Sequence, residues 1–452
     1  MFDLNKFDKN FDEAYESLNL TLTSRELAIW RLLTVAEDFT RIMYMSIGIN
    51  DPVVFSIKLD EMKYIYKFSI NKIYKDFKSF PSLNLKLSTD KKSYPEYFNF
   101  ILKTIDYKKA VHLMSMLHTN TFSIQSTTNN NYYIKYKNDY NISYNMLESI
   151  GINKPKTDDF ISLLVNFYFR QDDNYFVNRI SEILYENVFL KKRKIKYNFN
   201  KKLFKEIISV AGHRERERLH LEVFHYSWGS SDLTAKLIDA LIYRCLYHLI
   251  SIRVANIKYN FIGGFEDSLV LVTEKNKLIN DISLISDIKD IEKIKEFLEF
   301  LEFPKNLDKS LSSDAALQPL FLHQKEYFIP CFHIIESNIE RNLMTLFARN
   351  DSKNFDKQSN IFEKKMINQI EGNLINQIYK KNYKKRINKK DQEFDFLFID
   401  EINKKILIIE LRWMIQPADP REVINKRKAC YEKVQKVKEK KNFYLKIYLN
   451  FL

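Results

Sequence analysis

Cysteine is scarce in this 452-residue chain. Cys245, Cys331 and Cys430 stand far apart and match neither a disulfide framework nor a zinc-binding spacing. That scarcity points to a reducing, cytoplasmic setting. The opening "MFDLNKFDKN" lacks the basic and apolar regions of a signal peptide. No uninterrupted membrane-length apolar run occurs either. The longest candidate, "LIDALIYRCLYHLISIRVANI", is broken by Arg244, His248 and Arg253. Only 7 Gly and 9 Pro punctuate the chain, which favours a largely helical protein with some sheet. Histidine is absent after His333, so a mechanism with a histidine base has no place in the last quarter.

Positive charge, by contrast, is abundant and unevenly spread. The chain carries a formal net charge of +14. Residues 334–452 hold 26 Lys and Arg against 16 Asp and Glu, whereas the preceding 333 residues hold 46 against 42. Compositional drift towards Lys would spread the surplus evenly. A basic C-terminal module suggests a polyanionic partner, most simply nucleic acid, with DNA favoured.

The predicted fold class is a multidomain α+β chain. Residues 1–150 are expected to form a mixed α/β domain, with a helix at "SRELAIWRLLTVAEDFTRIMYM" and a hairpin at "FSIQSTTNNNYYIKYK". "GINKPKTDD" (151–159) reads as a boundary, and residues 151–335 as mainly helical with a strand at "SLVLVTE". "FPKNLDKSLSSDAALQP" (303–319) is the expected linker. "EYFIPCFHIIES" reads as a strand and "NIERNLMTLFAR" as a short helix. The final module, 336–452, then reads as a helix over "IFEKKMINQIEGNLINQIY", a basic stretch over 380–390, two strands, a helix from about 420 to 441 and a closing strand.

The two strands of that module, within "EFDFLFIDEINKKILIIELRW", are apolar on both faces yet contain Asp395 and Glu410. An ionised carboxylate in such a strand is costly unless paired or metal-bound. A turn at "EINK" joins Asp400 to Lys405, and that register sets Asp395 directly across from Glu410. Two carboxylates so close repel each other, and a divalent cation resolves the conflict. Oxygen-only ligands indicate Mg²⁺ or Mn²⁺ rather than zinc. Lys380, Lys381, Lys384, Lys385, Arg386, Lys389 and Lys390 are the candidate phosphate contacts. The triplet Asp51, Glu61 and Lys63 has a similar spacing, but Glu61 falls where a strand-like pattern ends, at an expected turn.

Asp395, fourteen intervening residues, then Glu410-Leu411-Arg412, between a helix with an early Glu and a second helix, resembles the PD-(D/E)XK nuclease core. The resemblance covers about residues 355–452. It implies the restriction-endonuclease-like fold and an Mg²⁺-dependent endonuclease, with Asp395, Glu410 and the Leu411 carbonyl as metal ligands. It also implies a catalytic contribution from Glu363, although Asn360-x-x-Glu363 equally fits a helix-start capping pattern. The chain departs from the family in having no Pro before Asp395 and Arg412 where Lys is usual. Arg412 cannot lose its proton, so its expected role is electrostatic. The alternative is a nucleic-acid-binding scaffold that keeps a degenerate nuclease fold. Residues 1–333 would supply recognition, regulation or a homodimer or partner contact. "GHRERERLHLEVFH" (212–225) offers His213, Glu217 and His220 at helical spacing, but three interleaved arginines favour an exposed charged helix. Lys428 and Gln435 read as a solvated helix surface.

Overall fold

A computed structural model describes residues 3–43, 52–80, 84–118, 122–126, 132–136, 175–191, 194–211, 224–260, 266–304, 313–373, 378–387, 390–400, 403, 405–411, 426 and 428–439. The fold is mixed α+β, dominated by helices with small antiparallel sheets. The chain divides into two compact units. One comprises residues 1–221 and 226–343, the other 222–225 and 344–452.

In the first unit, helices α1 (Leu4–Glu16), α2 (Arg25–Met43), α3 (Pro52–Asp76) and α4 (Ser93–His118) precede a hairpin of β1 (Phe122–Ser126) and β2 (Tyr132–Tyr136), which forms as predicted. Helix α3 runs straight through residues 52–63, where the sequence looked strand-like. Met62, Ile65, Tyr66, Ile70 and Ile73 are buried at helical spacing, and that stripe outweighs the β-branched start. The expected turn at Glu61 is therefore mid-helix.

Next come α5 (Tyr175–Leu184), β3 (Val188–Lys191), β4 (Lys194–Tyr197), α6 (Lys201–Ala211) and α7 (Ser231–Tyr259). Helix α7 is buried nearly all round, and among the described residues no helix is long and apolar enough to cross a membrane. Two of its buried polar side chains, Arg244 and His248, are paired internally. Arg244 Nε donates to Asp281 (2.7 Å) and Nη1 to the Tyr197 hydroxyl (3.0 Å). His248 Nε2 donates to the Ser268 carbonyl (2.9 Å), which leaves Nδ1 to accept from Tyr197 (2.6 Å). Burial and the Arg244 charge hold His248 neutral, its pKa lowered to about 3. Fully paired and enclosed, this network fixes α7 in place.

The chain continues through β5 (Leu271–Glu274), α8 (Lys275–Ser286), α9 (Ile291–Phe300), β6 (Phe321–His323) and β7 (Glu326–Ile329), with β7 central in a β5-β7-β6 antiparallel sheet. "EYFIPCFHIIES", expected as one strand, divides at Pro330 into β7 and helix α10 (Cys331–Glu336). Proline cannot continue a ladder but starts a helix well. Within 303–319 the described parts are not a linker, since Phe303 N–H donates to Leu320 (2.8 Å) and Asp314 is buried.

Glu37 of α2 ties the start of the first unit to its end. Its buried carboxyl accepts from the backbone N–H of Phe332 (2.7 Å) and His333 (3.2 Å), and from the Tyr66 hydroxyl (3.1 Å). It thereby caps α10, whose own flanking residue, Pro330, supplies no side-chain bond. Thr89 N–H likewise donates to Asp267 (2.9 Å). Burial raises the Glu37 pKa from 4.5 to about 8, against the opposing effect of these bonds. The folded state therefore holds a proton that the unfolded state releases above its ordinary pKa. This contribution to stability is complete below pH 4.5 and is lost as pH rises towards 8. Denaturant titrations across that window should show stability falling by up to about 1.4 kcal/mol per pH unit. Glu37→Gln, which keeps an acceptor oxygen and has no proton to lose, should remove this component of the slope.

The second unit is simpler. Helix α11 (Ile339–Asn350) spans the division between units, and α12 (Ser352–Gly372) follows. Asp351 caps α12 by accepting from Asn354 N–H (3.1 Å), so the helix begins well before the predicted start at residue 361. Three antiparallel strands follow in sheet order β10-β9-β8: β8 (Ile378–Ile387), β9 (Lys390–Asp400) and β10 (Lys405–Ile409). The basic stretch is thus largely an edge strand. A last helix, α13, covers 428–439. The expected closing strand, the boundary at 151–159 and the cluster containing His213, Glu217 and His220 lie outside the described residues.

Candidate functional site

The β9–β10 ladder pairs Lys405 with Asp400 and ends at Ile409 opposite Phe396. Glu410 lies one residue beyond the last paired position, where continuing the register would set it opposite Asp395. Directly opposed residues share a face of an antiparallel pair. Phe394 and Phe396, fully buried, point the other way, where Tyr379 stacks on Phe396 with ring centroids 5.3 Å apart. The carboxylates are thus carried on a face held in register by the aromatic side of the same strand.

Between them stands a residue that the sequence did not single out. Lys433 Nζ, from α13, lies 3.2 Å from Glu410 Oε2 and 3.9 Å from Asp395 Oδ2. Asp395 Oδ2 also accepts from the Leu411 N–H (2.7 Å), which folds the end of β10 back onto it. The Glu410 side chain is only 6% exposed, against 25% for Asp395 and 31% for Lys433. Ala429, Lys433 and Val437 are the half-buried positions at four-residue spacing on α13. A lysine in an otherwise small and apolar stripe was the available signal, hidden among many lysines in "KRKACYEKVQKVKEKK".

The formal charges of Asp395, Glu410 and Lys433 sum to −1. Among the described residues no group of three His, Cys, Asp or Glu side chains is arranged to hold a metal ion. A hard ion that keeps several waters needs no more than one or two carboxylates, so Mg²⁺ or Mn²⁺ suits this donor set and zinc does not. Asp395, Glu410 and the Leu411 carbonyl are the groups available to it.

The other predicted residues divide by position. By register, Lys380, Lys384 and Arg386 of β8 pair with Leu397, Glu393 and Asp391, which puts them on the same sheet face as Asp395. All three are exposed, although the Lys380 ammonium lies over the Tyr383 ring, 4.8 Å from its centre. Lys384 forms only a solvent-exposed pair with Glu393 (3.2 Å), readily exchanged for a phosphate. Lys381 falls on the opposite face and is held by Glu371 of α12 (2.7 Å). Glu371 also accepts from Tyr379, and the two bonds lower its pKa. Lys385 and Lys390 lie in β8 and β9, with side chains outside the described set, and Lys389 and Arg412 lie outside it altogether. Glu363 is mid-helix on α12, half-buried one turn before buried Ile367. It is therefore not a helix-start cap. The C-terminal turn of α12 is fastened through Glu371 to the face opposite the carboxylates.

Asn382 is a further feature the sequence concealed. The β8–β9 ladder pairs the residues on either side of it, Lys381 and Tyr383, but skips the position facing Asp395. Asn382 adopts a left-handed conformation there (φ 47°), which asparagine tolerates better than most residues. The backbone beside Asp395 is consequently free of the regular ladder.

No protein family, curated protein or solved structure matches the chain.

Proposed function

We propose that residues 344–452 form a metal-dependent nuclease that hydrolyses phosphodiester bonds, with DNA the favoured substrate. The observation that carries this reading is the Asp395–Glu410 pair sharing one ammonium, on a sheet face that also bears Lys380, Lys384 and Arg386. The order helix, three antiparallel strands, helix supports a restriction-endonuclease-like core. Asp395, Glu410 and the Leu411 carbonyl would hold Mg²⁺, which when bound lowers the pKa of a coordinated water and offsets phosphate charge.

The chain's own groups act around that centre. Lys380, Lys384 and Arg386 bind backbone phosphates and position the strand. Lys433 holds the two carboxylates in place and offers N–H donors where negative charge grows on a non-bridging phosphate oxygen. Arg412 serves as a permanent charge, able to donate two hydrogen bonds to one phosphate. Glu363 has a supporting part, and its place on α12 makes it the least central of the proposed acids.

A second reading follows from Lys433 itself. Because it already neutralises part of the acidic pair, the module can stand without metal, as a nucleic-acid-binding scaffold would. Metal titration followed calorimetrically, together with cleavage assays on single- and double-stranded DNA and RNA in Mg²⁺ and Mn²⁺, separates the two. Saturable metal binding with cleavage upholds the nuclease; nucleic-acid binding with neither selects the scaffold.

The two faces of β8 give an independent check on the interface. Neutralising Lys380 and Arg386 together should weaken duplex binding across all sequences and reduce the salt slope by about 0.9 for each phosphate no longer neutralised. Lys381→Gln should leave that slope in place, because Lys381 is committed to Glu371 on the other face. Equal slopes in all these variants would assign the basic strand to solvent.

A further inference from the structure

Residues 1–333 are nearly balanced in charge, with 46 basic side chains against 42 acidic, but the balance is not local. Residues 187–205 hold eight Lys and Arg and no Asp or Glu, which leaves 38 against 42 for the rest. Compositional drift towards lysine would not empty one stretch of acids and leave the remainder negative. The β3–β4 hairpin lies in that stretch.

The hairpin sorts its residues by face. Val188 pairs with Tyr197, Phe189 with Lys196, Leu190 with Ile195 and Lys191 with Lys194. Opposed and alternate residues share a face, so Phe189, Lys191, Lys194 and Lys196 stand together. All four are exposed, Phe189 by 41%. On the other face Val188 and Ile195 are buried. Lys258 Nζ of α7 donates to the carbonyls of Val188 (3.1 Å) and Tyr185 (2.6 Å), which ties the start of β3 to that helix. The hairpin is therefore anchored from behind while its front is exposed.

That front destabilises the hairpin as it stands. Like charges directly opposed across a ladder repel, and Lys191 faces Lys194. Among the described residues no carboxylate pairs with Lys191, Lys194 or Lys196. An anion laid along the hairpin relieves the repulsion, and the exposed ring offers it a flat surface. Residues two apart on a strand are about 6–7 Å apart, close to the step of an extended nucleotide chain. We propose that this face binds single-stranded nucleic acid, with the three lysines on its phosphates and an unpaired base stacked on Phe189. In a duplex the base faces cover one another, so the ring selects for unpaired strands. A single ring gives a bilayer little apolar area to hold, whereas stacking needs only one. The surface is built from residues of the first unit and does not depend on the nuclease reading of the second.

Oligonucleotide binding by the full chain in chelator tests the assignment, with Phe189→Trp fluorescence, read against wild type, as the local reporter. A thymidine oligonucleotide should quench the added emission saturably, and a duplex should quench it far less. Phe189→Ala should weaken binding of the thymidine strand about fivefold or more, the loss typical of one stacked base. The same variant should bind an abasic strand of equal length as wild type does. Changing Lys191, Lys194 and Lys196 together to Gln should reduce the single-strand salt slope by about 0.7 for each phosphate no longer neutralised. If Phe189→Ala fails to fold, the Phe189→Trp quench still decides. No quench by the thymidine strand, an equal quench by duplex, or a salt slope indifferent to the lysine changes overturns the proposal. A blue shift of Phe189→Trp emission with anionic phospholipid vesicles, and no response to the strand, assigns the face to a membrane instead.

Discussion

Asp395→Asn is expected to cut phosphodiester turnover by about 10³-fold or more, equivalent to roughly 4 kcal/mol in the barrier. The substitution removes one of the two carboxylates available to a metal while keeping an oxygen that can accept from the Leu411 N–H. The fold should therefore survive. With one of two like charges gone from the shared face, metal-free thermal stability should be unchanged or slightly raised. Single-turnover cleavage in Mg²⁺ and a melting curve in chelator measure both parts. Wild-type turnover in this variant would eliminate the nuclease assignment.

Lys433→Met should produce a different pattern. Removing the ammonium leaves two carboxylates facing each other, with Glu410 almost enclosed. Because Lys433 is itself about one-third exposed, the metal-free loss of stability should be modest, about 1–2 kcal/mol. Mg²⁺ should restore much of that loss in the variant and stabilise the wild type less, since the lysine and the metal relieve the same repulsion. Turnover should fall by about 10²–10³-fold if Lys433 also donates to the transition state. Lost stability recovered by metal, with wild-type turnover, would confine Lys433 to a counter-ion role.

The carboxylate pair was legible because a strict period of two leaves little freedom. Once the turn between Asp400 and Lys405 is set, every partner back to Phe396 is fixed, and Asp395 and Glu410 are the next residues along the two chains. The start of α12 was harder to read. "SKNFDKQSN" carries only one large apolar residue, Phe355, so the apolar stripe signals a helix only from Phe362 onward, while the true cap is Asp351. The full length of β8 was also obscure, since Tyr379 and Tyr383 on its inward face are interspersed with lysines. Lys433 could not be placed from spacing, because what brings it to Glu410 is the docking of α13 on the sheet. Likewise, the expected domain boundary near 151 rests on local composition alone. A bond between Glu37 and a backbone amide 295 residues away leaves no local trace.

That bond also governs the order in which the first unit can mature during synthesis. Helix α2 is complete early, yet the amides that occupy its buried carboxyl belong to residues 332 and 333. At roughly 5–20 residues per second, a ribosome takes about 15–60 s to cover the distance. For that interval the nascent chain carries a helix whose finished form is buried over much of its surface, with its acidic group still lacking these backbone donors. Such long-range closure is slow and leaves sticky surface exposed. The first unit is therefore a protein whose N-terminal half depends on its last hundred residues to finish folding, and a chain stalled before Phe332 is a natural client for chaperones.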